Sequence, residues 1–271
     1  MLLFYRLKRI KEMDSLQGLN KFEKEELLKH LKITWTYNSN AIEGNSLNYS
    51  DTQFIIENGL TVKGKPLKDH TEVVGHAKAV DLISSFVNND IFTQDNLFLL
   101  HKAVQTNIVI DIECPIGEYK VVENGRMIEI DGRLKYVPYP HPNDIPYLMD
   151  LWFKEFKEIK PCDDFETCVD IYTDIHISFT AIHPFFDGNG RLARLISNLP
   201  LLKSGYLPLI ISNEDKQEYI ELLSTYNLNT KELDNTSTAL VEKNEHYYNL
   251  REFFKDQYKN SQNLLDEIKG K

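Results

Sequence analysis

The sequence predicts a mainly helical, all-α fold interrupted by one short β-hairpin region. Apolar residues recur three and four positions apart along most of the 271 residues. Only residues 116–142 cluster glycines and prolines between short alternating runs, the pattern of strands joined by tight turns. The composition, 42% hydrophobic and 27% charged, is ordinary for a chain that buries a sizeable core.

The elements follow in order. Leu27, Leu28, Leu31 and Trp35 share one face of a helix over about residues 21–42. Val73, Val74, Ala77, Val80 and Ile83 mark a second over 71–88, and Leu97, Leu100, His101 and Val104 a third. Residues 119–122 and 127–130 are strand candidates, with turn signals at 122–125 and at Asp131-Gly132. Prolines 138, 140 and 142 stiffen the chain before a helix that starts at Asn143 or Asp144 and carries Ile145, Leu148, Leu151 and Trp152. Residues 164–182 are apolar on more than one face, which predicts a central, buried helix. Helices over 191–203, 214–226 and 230–268 complete the set, the last breaking near Asn235-Thr236.

Several functions are disfavoured. No stretch reaches the ~18 apolar residues of a membrane span. Residues 1–9 lack the long apolar run and small-residue cleavage site of a secretory leader. Cys114, Cys162 and Cys168 match no zinc spacing and read as reduced thiols of a cytoplasmic protein. A net charge of -10 argues against a nucleic-acid groove. The cations Lys231, Lys243, Arg251 and Lys255 are balanced by acids, so no basic recognition helix stands out. His176 lies seven residues before His183, but two histidines without a third ligand do not make a zinc site.

The chemistry concentrates in residues 183–194, His-Pro-Phe-Phe-Asp-Gly-Asn-Gly-Arg-Leu-Ala-Arg. Pro184 ends the preceding helix and places His183, a base suited to neutral pH, at its C-terminus. Asp187 is either a helix N-cap or a hard-metal ligand. Gly188, Asn189 and Gly190 permit a backbone nest for an anion, beside the positive end of the next helix. Arg191 and Arg194 lie one turn apart near that helix start, where the dipole disfavours cations unless an anion is bound. The alternative for both is a solvated surface arginine.

These residues match every fixed position of the Fic family signature, His-Pro-Phe-x-Asp/Glu-Gly-Asn-Gly-Arg-x-x-Arg, so the chain resembles that family over roughly residues 70–230. The resemblance implies a Fic-type helical bundle with a β-hairpin flap near the active site. It implies that His183 deprotonates a target hydroxyl and that Asp187 holds Mg²⁺ on ATP. Gly188, Asn189, Gly190 and Arg191 would cradle the phosphates, and Arg194 would bind the γ-phosphate. AMP would then pass from ATP to a Ser, Thr or Tyr of a target protein or of the chain itself. Gly190 favours this branch over relatives that phosphorylate.

Ser39-Asn40-Ala41-Ile42-Glu43-Gly44 resembles the family's inhibitory motif, Ser/Thr-x-x-x-Glu-Gly/Asn. Its place before the core implies a class II member, inhibited in cis by Glu43 on Arg194; Ser39 and Gly44 are its other fixed positions. By weaker carry-over, Tyr219 and Asn227 would line the base and ribose pocket. A target strand would add to the flap at 127–137, and a homodimer is consistent with the family. The implied organisation is an inhibitory helical region over 1–69, a core over 70–230 and a helical extension over 231–271. Two other functions share the residues: a hydrolase that removes AMP, and a nucleotide-responsive binding module.

Overall fold

The computed structural model describes residues 16–106, 113–130 and 132–270, so the stretch 1–9 read for a leader lies outside the described residues. Helix α1 (Lys21–Ile42) opens on a capping box, in which Asn20 and Glu23 exchange side-chain and backbone hydrogen bonds. It buries Leu27, Leu31 and Trp35, as the spacing predicts. Helix α2 (Tyr49–Asn58) is absent from the sequence expectation. It buries only Thr52 and Ile55, too little to print a stripe, and rests on an Asn48–Asp51 capping box. Helix α3 (Leu67–Phe86) starts four residues before the expected 71, and α4 is Gln94–Val104.

Strands β1 (Gly125–Ile130) and β2 (Arg133–Pro138) form one antiparallel hairpin, in register from Gly125 opposite Pro138 to Ile130 opposite Arg133. Gly132 takes φ 72° at the turn; its predicted partner Asp131 lies outside the described residues. The strand expected at 119–122 does not form. Lys120 instead donates its backbone N–H to the Pro184 carbonyl at 2.9 Å, so that segment is tied to a loop rather than to a strand.

A 3₁₀ turn (Pro142–Asp144) leads into α5 (Ile145–Phe156), and Asp164 caps α6 (Phe165–Ile182). Cys168, Tyr172, Ile175, Phe179 and Ile182 of α6 are all fully buried, the central helix the sequence predicts. The expected helix 191–203 is two: α7 (Asn189–Ile196) and α8 (Leu199–Lys203). Pro200 lacks an N–H and its ring clashes with the carbonyl four residues back, which is that of Ile196. Helix α9 (Lys216–Leu228) runs as expected, two residues late.

The long C-terminal helix does not start at 230. Residues 229–244 form a loop, in which the Glu242 N–H donates to Tyr226 Oη at 2.9 Å. Only then come α10 (Glu245–Gln257) and α11 (Lys259–Lys269), parted at Tyr258 rather than at 235–236. Asp234 accepts from the Thr236 backbone and hydroxyl, an Asx turn that competes with helix at the expected start.

One apolar core joins Leu27 and Trp35 of α1, Ile83 of α3, Trp152 of α5, Phe179 of α6 and Ile268 of α11. Cys162 and Cys168 carry free thiols. Among the described residues, no helix is long and apolar enough to cross a membrane.

Candidate active site

Helix α6 ends at His183, whose N–H closes the last turn onto Phe179 O at 3.0 Å. His183 leaves the right-handed region, as Pro184 demands, but enters the left-handed one (φ 51°, ψ 59°) rather than an extended conformation. A non-glycine residue there costs on the order of 1–3 kcal/mol and persists only where surroundings hold it. The surroundings do. Phe185 is fully buried and stacks on His101 with ring centroids 3.9 Å apart, while Phe186 stays partly exposed. Asn189 accepts from Phe185 N–H at 3.0 Å and donates to Phe185 O at 2.8 Å. Its side chain is therefore spent on the turn, which leaves only the backbone N–H groups of this loop open to a ligand.

Gly188 caps α7 with φ 83° and no side-chain bond, so Asp187 is not the N-cap. The Asp187 carboxylate accepts from the Gly188 N–H at 2.6 Å and from Gln105 Nε2 at 3.1 Å, and lies 3.6 Å from Arg191 Nη2. Burial alone would raise its pKa; the Arg191 charge and the two donors outweigh that and hold it below the ordinary value. His101 orients the same residue. Its Nδ1 accepts from Gly117 N–H at 2.8 Å, which leaves Nε2 protonated to donate to Asp187 O at 3.2 Å. Burial pushes His101 down to about 4, so this neutral tautomer persists at neutral pH.

Neither motif arginine is a surface residue: each is 3% exposed. They also diverge rather than project together. Arg191 donates to Gln105 Oε1 at 3.2 Å and approaches Glu72 of α3 at 3.7 Å. Arg194 turns to α1, donating to Ser39 Oγ at 3.1 Å, Ser39 O at 2.9 Å and Glu43 Oε1 at 2.6 Å. Glu43 is the C-cap of α1, and Gly44 at φ 93° lets the chain turn away behind it. The turn is pinned to α3, where Asn45 Nδ2 donates to Glu72 Oε2 at 2.9 Å and Asp69 O at 3.1 Å. Gly190 is helical, so it is not needed for a positive φ. A Cβ there would lie 2.6 Å from Glu43 Oε1 and 3.2 Å from Arg194 Nη1.

The His183 ring lies flat against Tyr139, with centroids 3.5 Å apart and planes 4° from parallel. Burial first, then the Lys120 charge, push its pKa down to about 3, so the imidazole is neutral at neutral pH. Tyr219 is buried, bonds His176 Nε2 at 3.0 Å, and holds its ring 5.9 Å from the Arg194 guanidinium carbon. Asn227 stands apart from that cluster. It lines a cleft of about 830 Å³ with Arg126 and Tyr139 of the hairpin side and Ala181 of α6.

Residues 39, 43, 187–191, 194 and 219 thus converge around α7, with His183 at its entry. Sequence reasoning missed Glu72, Gln105, Lys120, Asn124 and Tyr139, and gave His101 no role. His101 carried a readable signal, a polar side chain on the apolar stripe of α4. The others sit on partners distant in sequence and carry none.

The sequence profile of the Fic/DOC family matches residues 91–201. The chain is 30% identical over 220 residues to Protein adenylyltransferase Fic of Aedes aegypti, covering 79% of this chain and 40% of that protein. It is 31% identical over 207 residues to Protein adenylyltransferase Fic of Nematostella vectensis, covering 75% and 44%. The chain therefore spans less than half the length of these curated relatives. A Fic domain containing signaling protein from Bacteroides thetaiotaomicron shares the fold at TM-score 0.74 and 24% identity, over 100% of this chain and 96% of that one. Fic-1 of Caenorhabditis elegans shares it at TM-score 0.69 and 23% identity, over 99% and 72%.

Proposed function

From the premise that this chain belongs to the Fic/DOC family, we propose that it is a protein adenylyltransferase held in check by its own Glu43. The observation that carries the reading is the occupied fork of Arg194. The buried guanidinium on the short helix α7 donates to Ser39 and Glu43, and among the described residues Glu43 is its one carboxylate partner. An anion of the substrate can take the place of Glu43 there, which makes one contact both the binding site and its block.

Each step has a residue. The neutral His183 imidazole accepts the proton of a target hydroxyl, whose oxygen attacks the α-phosphorus of ATP. The bond to the β-phosphate oxygen breaks, pyrophosphate leaves, and AMP stays on the hydroxyl oxygen. The backbone N–H groups of Asn189, Gly190 and Arg191 open α7 without intrahelical acceptors and would face the phosphates. Arg191 and Arg194 add charge, so catalysis is mostly positioning and electrostatics. Asp187, ionised with a half-exposed side chain, suits Mg²⁺, which takes few protein ligands and many water and phosphate oxygens. Magnesium bound there would offset polyphosphate charge.

Asn227, in the cleft beside Tyr139, fits contact with the nucleoside, and the ring of Tyr219 fits backing Arg194 rather than stacking on the base. The exposed Leu134 and Tyr136 of β2 fit an edge that receives a target strand. Residues 70–230 would be the catalytic core, 1–69 the region bearing the inhibitory helix, and 231–271 an extension. A second reading, hydrolysis of AMP from a modified protein, draws on Glu43: its side chain stays 39% exposed while one oxygen holds Arg194, which suits it to orient a water.

The test uses ATP labelled at the α-phosphate with wild type, Glu43→Gly, and Glu43→Gly with His183→Ala. Label on protein only with the single variant is expected. No label from Glu43→Gly, with ATP still bound, rejects adenylyl transfer; release of AMP from a modified target would then favour the hydrolase.

A further inference from the structure

Lys120 is 2% exposed, and lysine is almost never buried without a partner or a task. Among the described residues, no carboxylate lies within ion-pair distance of it. Its Nζ donates to Asn124 Oδ1 at 2.7 Å and lies 5.7 Å from the Tyr139 ring centroid. Its backbone N–H holds Pro184 O at 2.9 Å. Asn124 extends the contact, since its Nδ2 donates to Phe185 O at 3.2 Å and Phe186 O at 3.0 Å. Tyr139, the ring beneath the ammonium, is the one stacked on His183.

We propose that Lys120 is a positioning residue for the transfer: through Asn124 it fixes the turn that follows His183, and it holds a positive charge against the Tyr139–His183 stack. The proposal rests on the reading of His183 as the base.

Burial lowers Lys120 to about 8, so it is mainly charged at neutral pH, and Glu123 pulls the other way. After burial itself, Lys120 is the largest influence keeping His183 unprotonated; Arg126 assists, while Asp187 and the Thr180 carbonyl oppose. A polyphosphate arriving beside this field cancels part of it. The imidazole then becomes a stronger proton acceptor when ATP is present than when the site is empty. The left-handed His183 backbone needs external support, and the Lys120–Asn124 clamp on residues 184–186 supplies it.

The test works on the Glu43→Gly background with Lys120→Met, Lys120→Arg and Asn124→Ala. One readout is the NMR titration of the His183 ring, assigned by comparison with His183→Ala. The other is kcat and KM for ATP. Lys120→Met is expected to move the His183 titration to higher pH and to lower kcat by about 10²-fold, the scale of a misplaced catalytic group. KM should change far less. Lys120→Arg, which keeps the charge, should hold the titration low. Asn124→Ala should lower kcat while leaving the titration in place. The proposal is overturned if His183 titrates alike with Met and Lys at 120, or if Asn124→Ala leaves kcat unchanged. Should Lys120→Met fail to fold, the Arg and Asn124 variants decide. If Glu43→Gly itself transfers nothing, the adenylyltransferase reading fails, and the NMR titration still decides the electrostatic role.

Discussion

Arg194 Nη2 donates to Glu43 Oε1 at 2.6 Å across 151 residues of sequence. The arginine side chain is 4% exposed and the glutamate 39%, so the two partners are unequal. The guanidinium depends on the pair, whereas the carboxylate can return to water. A switch that opens by moving Glu43 is therefore less costly than one that moves Arg194.

Glu43→Gly should lower the melting temperature without ATP, because it strips a buried cation of its anionic partner. Saturating ATP should raise the melting temperature of the variant far more than that of wild type. Its ATP affinity, by titration calorimetry, should rise about tenfold or more, the usual scale of a coupling of 1–3 kcal/mol. Equal affinities would mean that Glu43 does not compete for the fork.

Ser39→Ala removes the acceptor for Arg194 Nε and leaves the Ser39 carbonyl in place. An unsatisfied buried donor costs about 1–3 kcal/mol, which urea denaturation would read. Transfer should rise above wild type yet stay below Glu43→Gly, since Glu43 remains with a looser partner. Unchanged stability would show that Nε finds another acceptor.

Gly190→Ala should behave oppositely on two backgrounds. With Glu43 present, the new methyl meets its carboxylate at 2.6 Å, and strain of about 1–3 kcal/mol is expected. With Glu43→Gly that contact is gone, and alanine should gain up to about 1 kcal/mol of helix propensity. A double-mutant cycle by denaturation measures the difference. A cycle that closes to zero would place the carboxylate away from Gly190 in solution.

Stability should fall as the solution is acidified below the ordinary histidine range. Burial pushes His101 down to about 4 and His176 to about 3. Both folded values lie below the unfolded one of about 6.5, so the unfolded state binds more protons in between. Their contribution is intact above about pH 6.5 and is lost progressively as pH falls toward 4. Each can contribute a slope of up to about 1.4 kcal/mol per pH unit. Urea midpoints at about pH 7.5 and pH 5 check this, and His176→Gln should flatten the slope.

The helical architecture and the neighbourhood of residues 183–194 were legible in the sequence because both are local. The α6 stripe Cys168, Tyr172, Ile175, Phe179 and Ile182 repeats at helical spacing, and Pro184 stops a helix wherever it stands. The Glu43–Arg194 partnership was legible only through the resemblance that links two distant segments. Boundaries failed where a local rival acted: Pro200 splitting α7 from α8, and the Asp234 turn delaying α10 to Glu245.

By itself, then, the sequence determined that the fold is mainly helical, where most of the helices lie, and that the chemistry-bearing side chains cluster at residues 183–194. Only the tertiary structure decided that Arg191 and Arg194 part toward different helices, that Gly190 makes room for a carboxylate, and that Tyr139 stacks on His183 while Lys120 and Asn124 hold the turn after it. Periodicity and turn chemistry act within a few residues and are written in the chain. Burial, close approach and the field at a buried group depend on which distant surfaces pack together, and no short pattern encodes that.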